Sequence, residues 1–300
     1  MMESDLDRGP LAGGGAALDA RFWADAWRAA RKASTLYKIP TDPCRWRAFW
    51  DLFAPTYAQR NREARWLHEG VIARLADRGV VRSEDRVLDI GCGPGTYTLP
   101  LARRCRLITA LDSAPAMLAA LSAEAKREGV SGRIETDCRD WSEVTPAGRF
   151  DLVFGALTPA IKDAENLMRM NAASRRHCCL VGLKGGHHSS LRDGLWREVM
   201  GGDMESHAFD TQYPFNLLYQ SGFLPEVTFL PYAKKVREAS AYVRQHFKTS
   251  FAIFGKNGRE TGRRIDAYVA ARTHDGKVWD EQKGILSVIT WRVLKNQAVC

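Results

Sequence analysis

Between Val87 and Thr96 the chain reads Val-Leu-Asp-Ile-Gly-Cys-Gly-Pro-Gly-Thr, an apolar run that enters three alternate glycines. Glycine lets the backbone turn sharply and approach a ligand with no Cβ in the way. A helix start behind such a loop adds unpaired N–H groups and a partial positive charge. This combination suits a nucleotide-like ligand at the carboxyl edge of a parallel sheet. Asp112 closes the next apolar run, Ile-Thr-Ala-Leu-Asp, where a carboxylate can accept hydrogen bonds from both hydroxyls of a ribose. Asp89 stands two residues before the first glycine, so its charge disfavours a pyrophosphate and favours a cationic group. The nicotinamide fingerprint G-x-G-x-x-G/A also fails at its last position, which is Thr96.

These residues need strands and helices to hold them, and the order of elements supplies a frame. From about residue 83, strand-like segments (86–91, 106–112, 133–136, 150–157, 177–183) alternate with helical ones (96–104, 114–129, 162–173, 189–200, 212–221). Short connections between alternating strands and helices imply a Rossmann-like, mostly parallel α/β sheet with helices on both faces. A strand at about 225–235 and a final strand from Gly284 bracket a helical insertion at about 236–275, giving seven strands. Ahead of the sheet, residues 1–18 read as a mobile Gly-rich tail and 19–82 as a helical cap. In that cap Phe22, Trp23, Ala26, Trp27 and Ala30 fall on one helix face.

The 300 residues are 45% hydrophobic and 26% charged, which excludes a disordered or collagen-like chain. No run of 18 apolar residues suggests a membrane span, and the acidic, Gly-rich start lacks the form of a signal peptide, so a cytoplasmic location is expected. The seven cysteines are scattered without a C-x-x-C pair. Cys178 and Cys179 lie between His177 and His187-His188, yet the run HCCLVGLK reads as a buried strand, so no metal is expected. Net charge is +9, and the residues from Leu224 onward hold fourteen basic and seven acidic side chains. That excess is either a face for a polyanion or a solvated surface, and no nucleic-acid motif accompanies it.

The segment VLDIGCGPGTYTLPLA resembles the first motif of the class I S-adenosylmethionine (SAM)-dependent methyltransferases, an acid followed by G-x-G-x-G. The resemblance covers Ser83 to Leu183 well and the chain from Trp50 more loosely. It implies SAM as cofactor, with Asp89, Gly91, Cys92, Gly93 and Gly95 around its methionine part. It further implies Asp112 on the ribose, Ser113 and Met117 beside the adenine, Asp137 on the adenine amino group next to Cys138, and Gly155 and Ala156 along the sulfonium.

Upstream, Trp50, Asp51, Ala54 and Tyr57 resemble the W-D-x-x-A-x-x-Y stretch of ubiquinone/menaquinone-biosynthesis methyltransferases, where it forms part of a lid. Tyr57 is then a cofactor contact, or else the aromatic residues simply pack the cap. The N/D-P-P-Y/F loop of amino-methylating enzymes is absent, its place being taken by Gly155-Ala-Leu-Thr-Pro-Ala-Ile161.

A general base is required only when the acceptor must lose a proton. His187 and His188 follow the fifth strand where an acceptor should sit, and Thr158 could orient an acceptor or close its loop. Trp196, Tyr213, Tyr219 and Tyr242 line a pocket or pack the core, while Asp140 and Trp141 read as structural. The expected function is methyl transfer to a small-molecule acceptor. An RNA methyltransferase and a SAM-binding regulator without turnover are the alternatives.

Overall fold

A computed structural model of the chain describes residues 18–35, 46, 48–54, 57, 65–204 and 210–293. The expected tail and the Pro-rich break at 39–43 lie outside the described residues.

Among the described residues eight strands form one sheet: β1 (Arg86–Ile90), β2 (Leu107–Leu111), β3 (Ile134–Asp137), β4 (Phe150–Ala156), β5 (Ser174–Ser189), β6 (Glu226–Ala239), β7 (Thr273–His274) and β8 (Lys277–Arg292). Their order is β3-β2-β1-β4-β5-β8-β6, with β7 beside β8. β1 to β5 run parallel, while β8 is antiparallel to both β5 and β6. The central strand β1 is buried from Val87 to Ile90, as expected for a parallel strand covered on both faces. Cys178 and Cys179 are fully buried and join different hydrophobic clusters, so the histidine-flanked pair is core. Among the described residues no group of three metal-ligating side chains occurs, and no helix is long and apolar enough to cross a membrane.

The helices are α1 (Ala20–Ala33), α2 (Arg65–Asp77), α3 (Thr98–Ala102), α4 (Pro115–Arg127), α5 (Ala164–Ala173), α6 (Ser190–Met200), α7 (Gln212–Gln220), α8 (Ser240–Ile253) and α9 (Arg259–Ala270), with a further helical stretch at 48–54. Asp19 caps α1 by accepting from the Phe22 N–H at 2.8 Å. That helix buries Trp27 in the cluster that holds Leu217 and Leu218 of α7.

The structure adds a short eighth strand, β7, to the seven expected and lengthens three of them. β5 passes a bulge between Leu183 and His187, with Gly185 and Gly186 at φ of 70° and 91°, and reaches Ser189. β6 continues to Ala239, where a helix was expected to begin, and β8 starts at Lys277 rather than Gly284. The three strands thus project past the carboxyl ends of β1 and β4 as an antiparallel ribbon.

Helices α6, α8 and α9 cover one side of that ribbon through Leu195, Trp196, Val243, Phe251, Ile265 and Val269. Asp280, buried in β8, fixes the ribbon to the start of α6: it accepts from Ser189 Oγ at 2.9 Å, Ser190 Oγ at 3.2 Å and the Leu191 N–H at 3.1 Å. Gly194 lets α6 approach α9, since a Cβ there would overlap the Tyr268 hydroxyl. Gly194→Ala is expected to cost about 1 to 3 kcal/mol of stability by overpacking. A chemical-denaturation midpoint equal to that of the parent protein would contradict this.

Candidate active site

The three glycines after β1 have three different reasons. Gly91 has φ of 66°, and its N–H and that of Cys92 donate to the Leu111 carbonyl at 2.8 and 3.0 Å, fastening the loop to β2. A Cβ on Gly91 would overlap the Thr158 side chain from the loop after β4. Gly93 has φ of 54° with nothing within 4 Å of its missing Cβ. Gly95 answers to packing, because a Cβ would come within 2.5 Å of Leu121 on α4.

Asp112 ends β2 with both carboxylate oxygens committed to backbone. Oδ2 accepts from the Gly93 N–H and Oδ1 from the Ala114 N–H, each at 2.9 Å. Each oxygen keeps a second lone pair for a ligand hydroxyl. Burial raises this carboxyl above its ordinary value, against those two backbone hydrogen bonds. Asp89 is more secluded: it accepts from Thr98 Oγ1 at 2.7 Å, and burial pushes it up to about 7.

A cationic ligand beside Asp89 favours its ionised form, so binding such a ligand should release a proton near neutrality. Affinity for SAM is accordingly expected to rise from pH 6 to pH 8, with buffer-dependent heats in calorimetry. Asp89→Asn should flatten that rise, and a rise of the same size in the variant would rule Asp89 out as its source.

Both carboxylates line a single cavity of about 1720 Å³, wider than the ~300–1,000 Å³ of an ordinary small-ligand site and roomy enough for two reactants. Gly91, Cys92, Gly93, Asp112, Ser113 and Met117 form one part of its wall, and Trp50 and Tyr57 stand over them. The stretch 48–54 is held there from two sides. Ala54 packs on Ala114 and Met117 at the start of α4, while Phe49 and Phe53 pack on Ile253 of α8.

Several expected contacts lie elsewhere. Gly95 and Gly155 do not line this cavity, and Gly155 packs against Ile161 and Thr158, whereas Ala156 does line it. Asp137 and Cys138 are also outside the lining. Asp137 is engaged by Arg139 in a two-point ion pair, through Nε at 2.7 Å and Nη2 at 2.5 Å, which holds its carboxyl below the usual range. Arg139, Asp140 and Trp141 line the cavity in their place; Trp141 is also buried in the core, and Asp140 caps the turn that follows it by accepting from the Ser142 N–H at 2.8 Å.

Thr158 is buried, and its Oγ1 accepts from the Ala160 N–H at 3.2 Å while abutting Gly91, which fits a loop-closing part. Trp196 is core, Tyr219 is exposed, and Tyr242 packs edge-on to Phe53.

The far part of the wall belongs to the ribbon. His187 and His188 lie within β5 itself, past the bulge, and both line the cavity. His187 Nδ1 is 2.6 Å from Tyr232 Oη of β6, and burial with the nearby Arg192 charge pushes its imidazole down to about 4. His188 Nδ1 is 2.5 Å from Asp193 Oδ2. Tyr232 and Lys234, two residues apart on β6, and Arg192 on α6 complete this end. Sequence reading had not singled out Tyr232. The period of two in YAKKV, which puts Tyr232 and Lys234 on one strand face, was the available signal.

Known proteins resemble this chain mainly over the core. The family described as "Methyltransferase domain" matches residues 87–178. A protein of Haemophilus influenzae is 28% identical over 153 residues, which are 50% of this chain and 55% of that one. The 23S rRNA (uracil(1939)-C(5))-methyltransferase RlmD of Burkholderia pseudomallei is 38% identical over 96 residues, 31% of this chain and 20% of that enzyme. The chain therefore spans about half or less of the length of these relatives.

Among solved structures, the YcgJ protein of Bacillus subtilis is 13% identical with a TM-score of 0.47, over 76% of this chain and 99% of that one. A Haemonchus contortus phosphoethanolamine N-methyltransferase with bound S-adenosylhomocysteine (SAH) is 15% identical with a TM-score of 0.41, over 75% and 52%. Residues 87–178 match a methyltransferase family for which the sequence resemblance implies SAM as cofactor, and the sheet order and the glycine loop give the core a Rossmann-like fold. Its residues fit that cofactor: an acid with spare lone pairs at the end of β2, an open backbone at Gly93 and a buried carboxylate beside the loop.

Proposed function

We propose that the protein transfers the methyl group of SAM to a small-molecule acceptor seated beneath the β5–β8–β6 ribbon. The observation that carries this reading is one continuous cavity running from the Gly93–Asp112 cradle to the ribbon residues His187, His188, Tyr232 and Lys234. When bound, SAM supplies an electrophilic methyl carbon on a sulfonium. The chain's own residues orient the two reactants and exclude water, and positioning of this kind accounts for much of the acceleration in such transfers. Asp112 takes the ribose, Asp89 faces the cationic end, and residues 48–54 with Tyr57 close the cofactor side as the W-D-x-x-A-x-x-Y resemblance implies. For an acceptor that must lose a proton, His188 is the base: Asp193 takes its Nδ1 side and leaves Nε2 for the acceptor.

A small acceptor agrees with the state of the basic C-terminal quarter. Glu260 pairs with both Arg263 and Arg264, Glu281 with Lys235, and Asp266 with Lys248, so these four cations already have carboxylate partners. An RNA acceptor would need several cations committed to phosphates, with binding that falls steeply as salt rises.

Incubation with methyl-labelled SAM and separated metabolite and RNA pools, read by mass spectrometry, tests the proposal. Label in a small molecule is expected, label in RNA alone would replace the acceptor class, and no label at all would leave a SAM-binding protein without turnover. Reversing the charge of Arg263 and Arg264 together should leave turnover of the true acceptor within about twofold. Its abolition with intact SAM affinity would implicate this face in acceptor binding.

A further inference from the structure

His187, Gly284 and Tyr232 occupy directly opposed positions on three neighbouring strands, His187 facing Gly284 across β5–β8 and Tyr232 facing Gly284 across β8–β6. The Tyr232 ring lies over the middle strand to reach His187, and only a glycine permits this. A Cβ at position 284 would sit 2.9 Å from Tyr232 Oη and 3.1 Å from two ring carbons. The rings are near parallel, 6.1 Å apart at an interplanar angle of 19°, and the Oη···Nδ1 distance is 2.6 Å. The pair is therefore built into the register of the sheet.

The sense of that hydrogen bond decides what His187 can do. A phenol is a far stronger acid than a neutral imidazole N–H, so Tyr232 donates and Nδ1 accepts. The ring proton then belongs to Nε2, which no other described side chain engages, on a residue that lines the cavity. Lys234, next on the same face of β6, contributes an ammonium whose charge reaches both His187 and His68, another lining residue on α2. The acids around His187 are already occupied: Asp193 by Arg192 and His188, and Asp280 by Ser189, Ser190 and Gln282. His187 Nε2–H, Arg192 and Lys234 thus place donors on this part of the wall, beside the engaged carboxylate of Asp193.

From this geometry we infer that His187 Nε2–H and Lys234 form an oxyanion-binding subsite, with Tyr232 as the positioning residue that fixes the imidazole tautomer, and that the methyl acceptor carries a carboxylate or phosphate group received there. The inference deepens the methyltransferase reading and rests on it. It assigns His187 the part of a donor, and leaves proton removal to His188. An imidazole held near 4 beside Arg192 and Lys234 is neutral at physiological pH and ill placed to hold a proton, which agrees with that assignment.

The test uses SAH-loaded full-length protein, with benzoate, phenyl phosphate and the neutral isostere benzamide as probes. Nitrogen-15 spectra should show His187 protonated on Nε2 and not titrating between pH 5 and 8, and Tyr232→Phe or Gly284→Ala should give a mixture of tautomers. One of the two anions should bind at least tenfold more tightly than benzamide and shift the His187 resonances. Preference for benzoate or for phenyl phosphate tells carboxylate from phosphate. Lys234→Met should weaken that anion about tenfold, as loss of a charge-assisted hydrogen bond does, with SAH affinity unchanged.

In turnover, His187→Gln, which keeps a donor but cannot serve as a base, should retain most of the kcat that His187→Ala loses. Equal loss in both variants, benzamide binding as well as the anions, or a His187 proton resident on Nδ1 would overturn the assignment. Failure of the wild-type protein to bind SAH would instead overturn the methyltransferase reading beneath it.

Discussion

Replacing Asp112 by alanine is expected to weaken binding of SAM and SAH by about 1 to 3 kcal/mol, roughly five- to 150-fold, while the protein stays folded. Both effects follow from the same carboxylate. A bound ribose loses two charge-assisted acceptors, and the Gly93 N–H that shapes the cradle loses its partner. Against this, the fold is relieved of a buried charge, since burial is the leading influence on the Asp112 carboxyl. Affinity and stability should therefore separate. Asparagine is no milder, because its NH₂ must then face either the Gly93 or the Ala114 N–H, donor against donor. Calorimetry with SAH beside a thermal melt measures both quantities, and unchanged affinity in Asp112→Ala would show that another residue holds the ribose.

Gly91→Ala should be the most damaging single methyl in the protein. It adds the cost of a positive φ in a residue with a Cβ, about 1 to 2 kcal/mol, to the overlap with Thr158, a further 1 to 3 kcal/mol. The loop after β1 and the loop after β4 would be forced apart at the cavity wall, so SAH binding should fall below detection. Because the second contribution depends on one identifiable side chain, Thr158→Gly in the same chain should restore part of the stability, and a double-mutant cycle measures that part. Additive losses would mean that the overlap is absorbed elsewhere. Gly93→Ala provides the contrast: its Cβ meets no protein atom, so it should cost only the backbone contribution in stability, yet still obstruct the cofactor.

The first half of the sheet was readable because its strands are short, mostly apolar runs bounded by glycine or acid, with Asp89 a buried charge within β1. The ribbon was not readable for the opposite reason. In the first half of β8 the buried positions are Val278, Asp280 and Gln282, while Trp279 is exposed, so the alternation of burial is carried largely by polar groups that sequence patterning assigns to a surface. Asp280 goes inside because Ser189, Ser190 and the Leu191 N–H donate to it, and Gln282 because its amide donates to Asp280, which is a fact of tertiary pairing. Likewise KGGHH reads as a loop, and only pairing with β8 makes it strand. At the site, Asp89, Gly93 and Asp112 were visible in local spacing. Asp137 misled because the same spacing says nothing of Arg139 two residues on. The His187–Tyr232 pair, 45 residues apart, could come only from the register across Gly284.

Helix 48–54 rests on α4 with one side and on α8 with the other, and Asp51 accepts at 3.4 Å from the Ala116 N–H in the first turn of α4. The residues that α4 offers to this helix, Ala114 and Met117, are neighbours of the cofactor cradle, and the residue that α8 offers belongs to the helices backing the ribbon. The consequence is one of sequence in time. Methyl donor seated on α4 completes the surface on which 48–54 settles, and 48–54 in turn steadies the acceptor end, so the donor should add first and its demethylated product leave last. Steady-state kinetics would then show SAH competing with SAM alone, and acceptor binding to the empty protein would be too weak to measure.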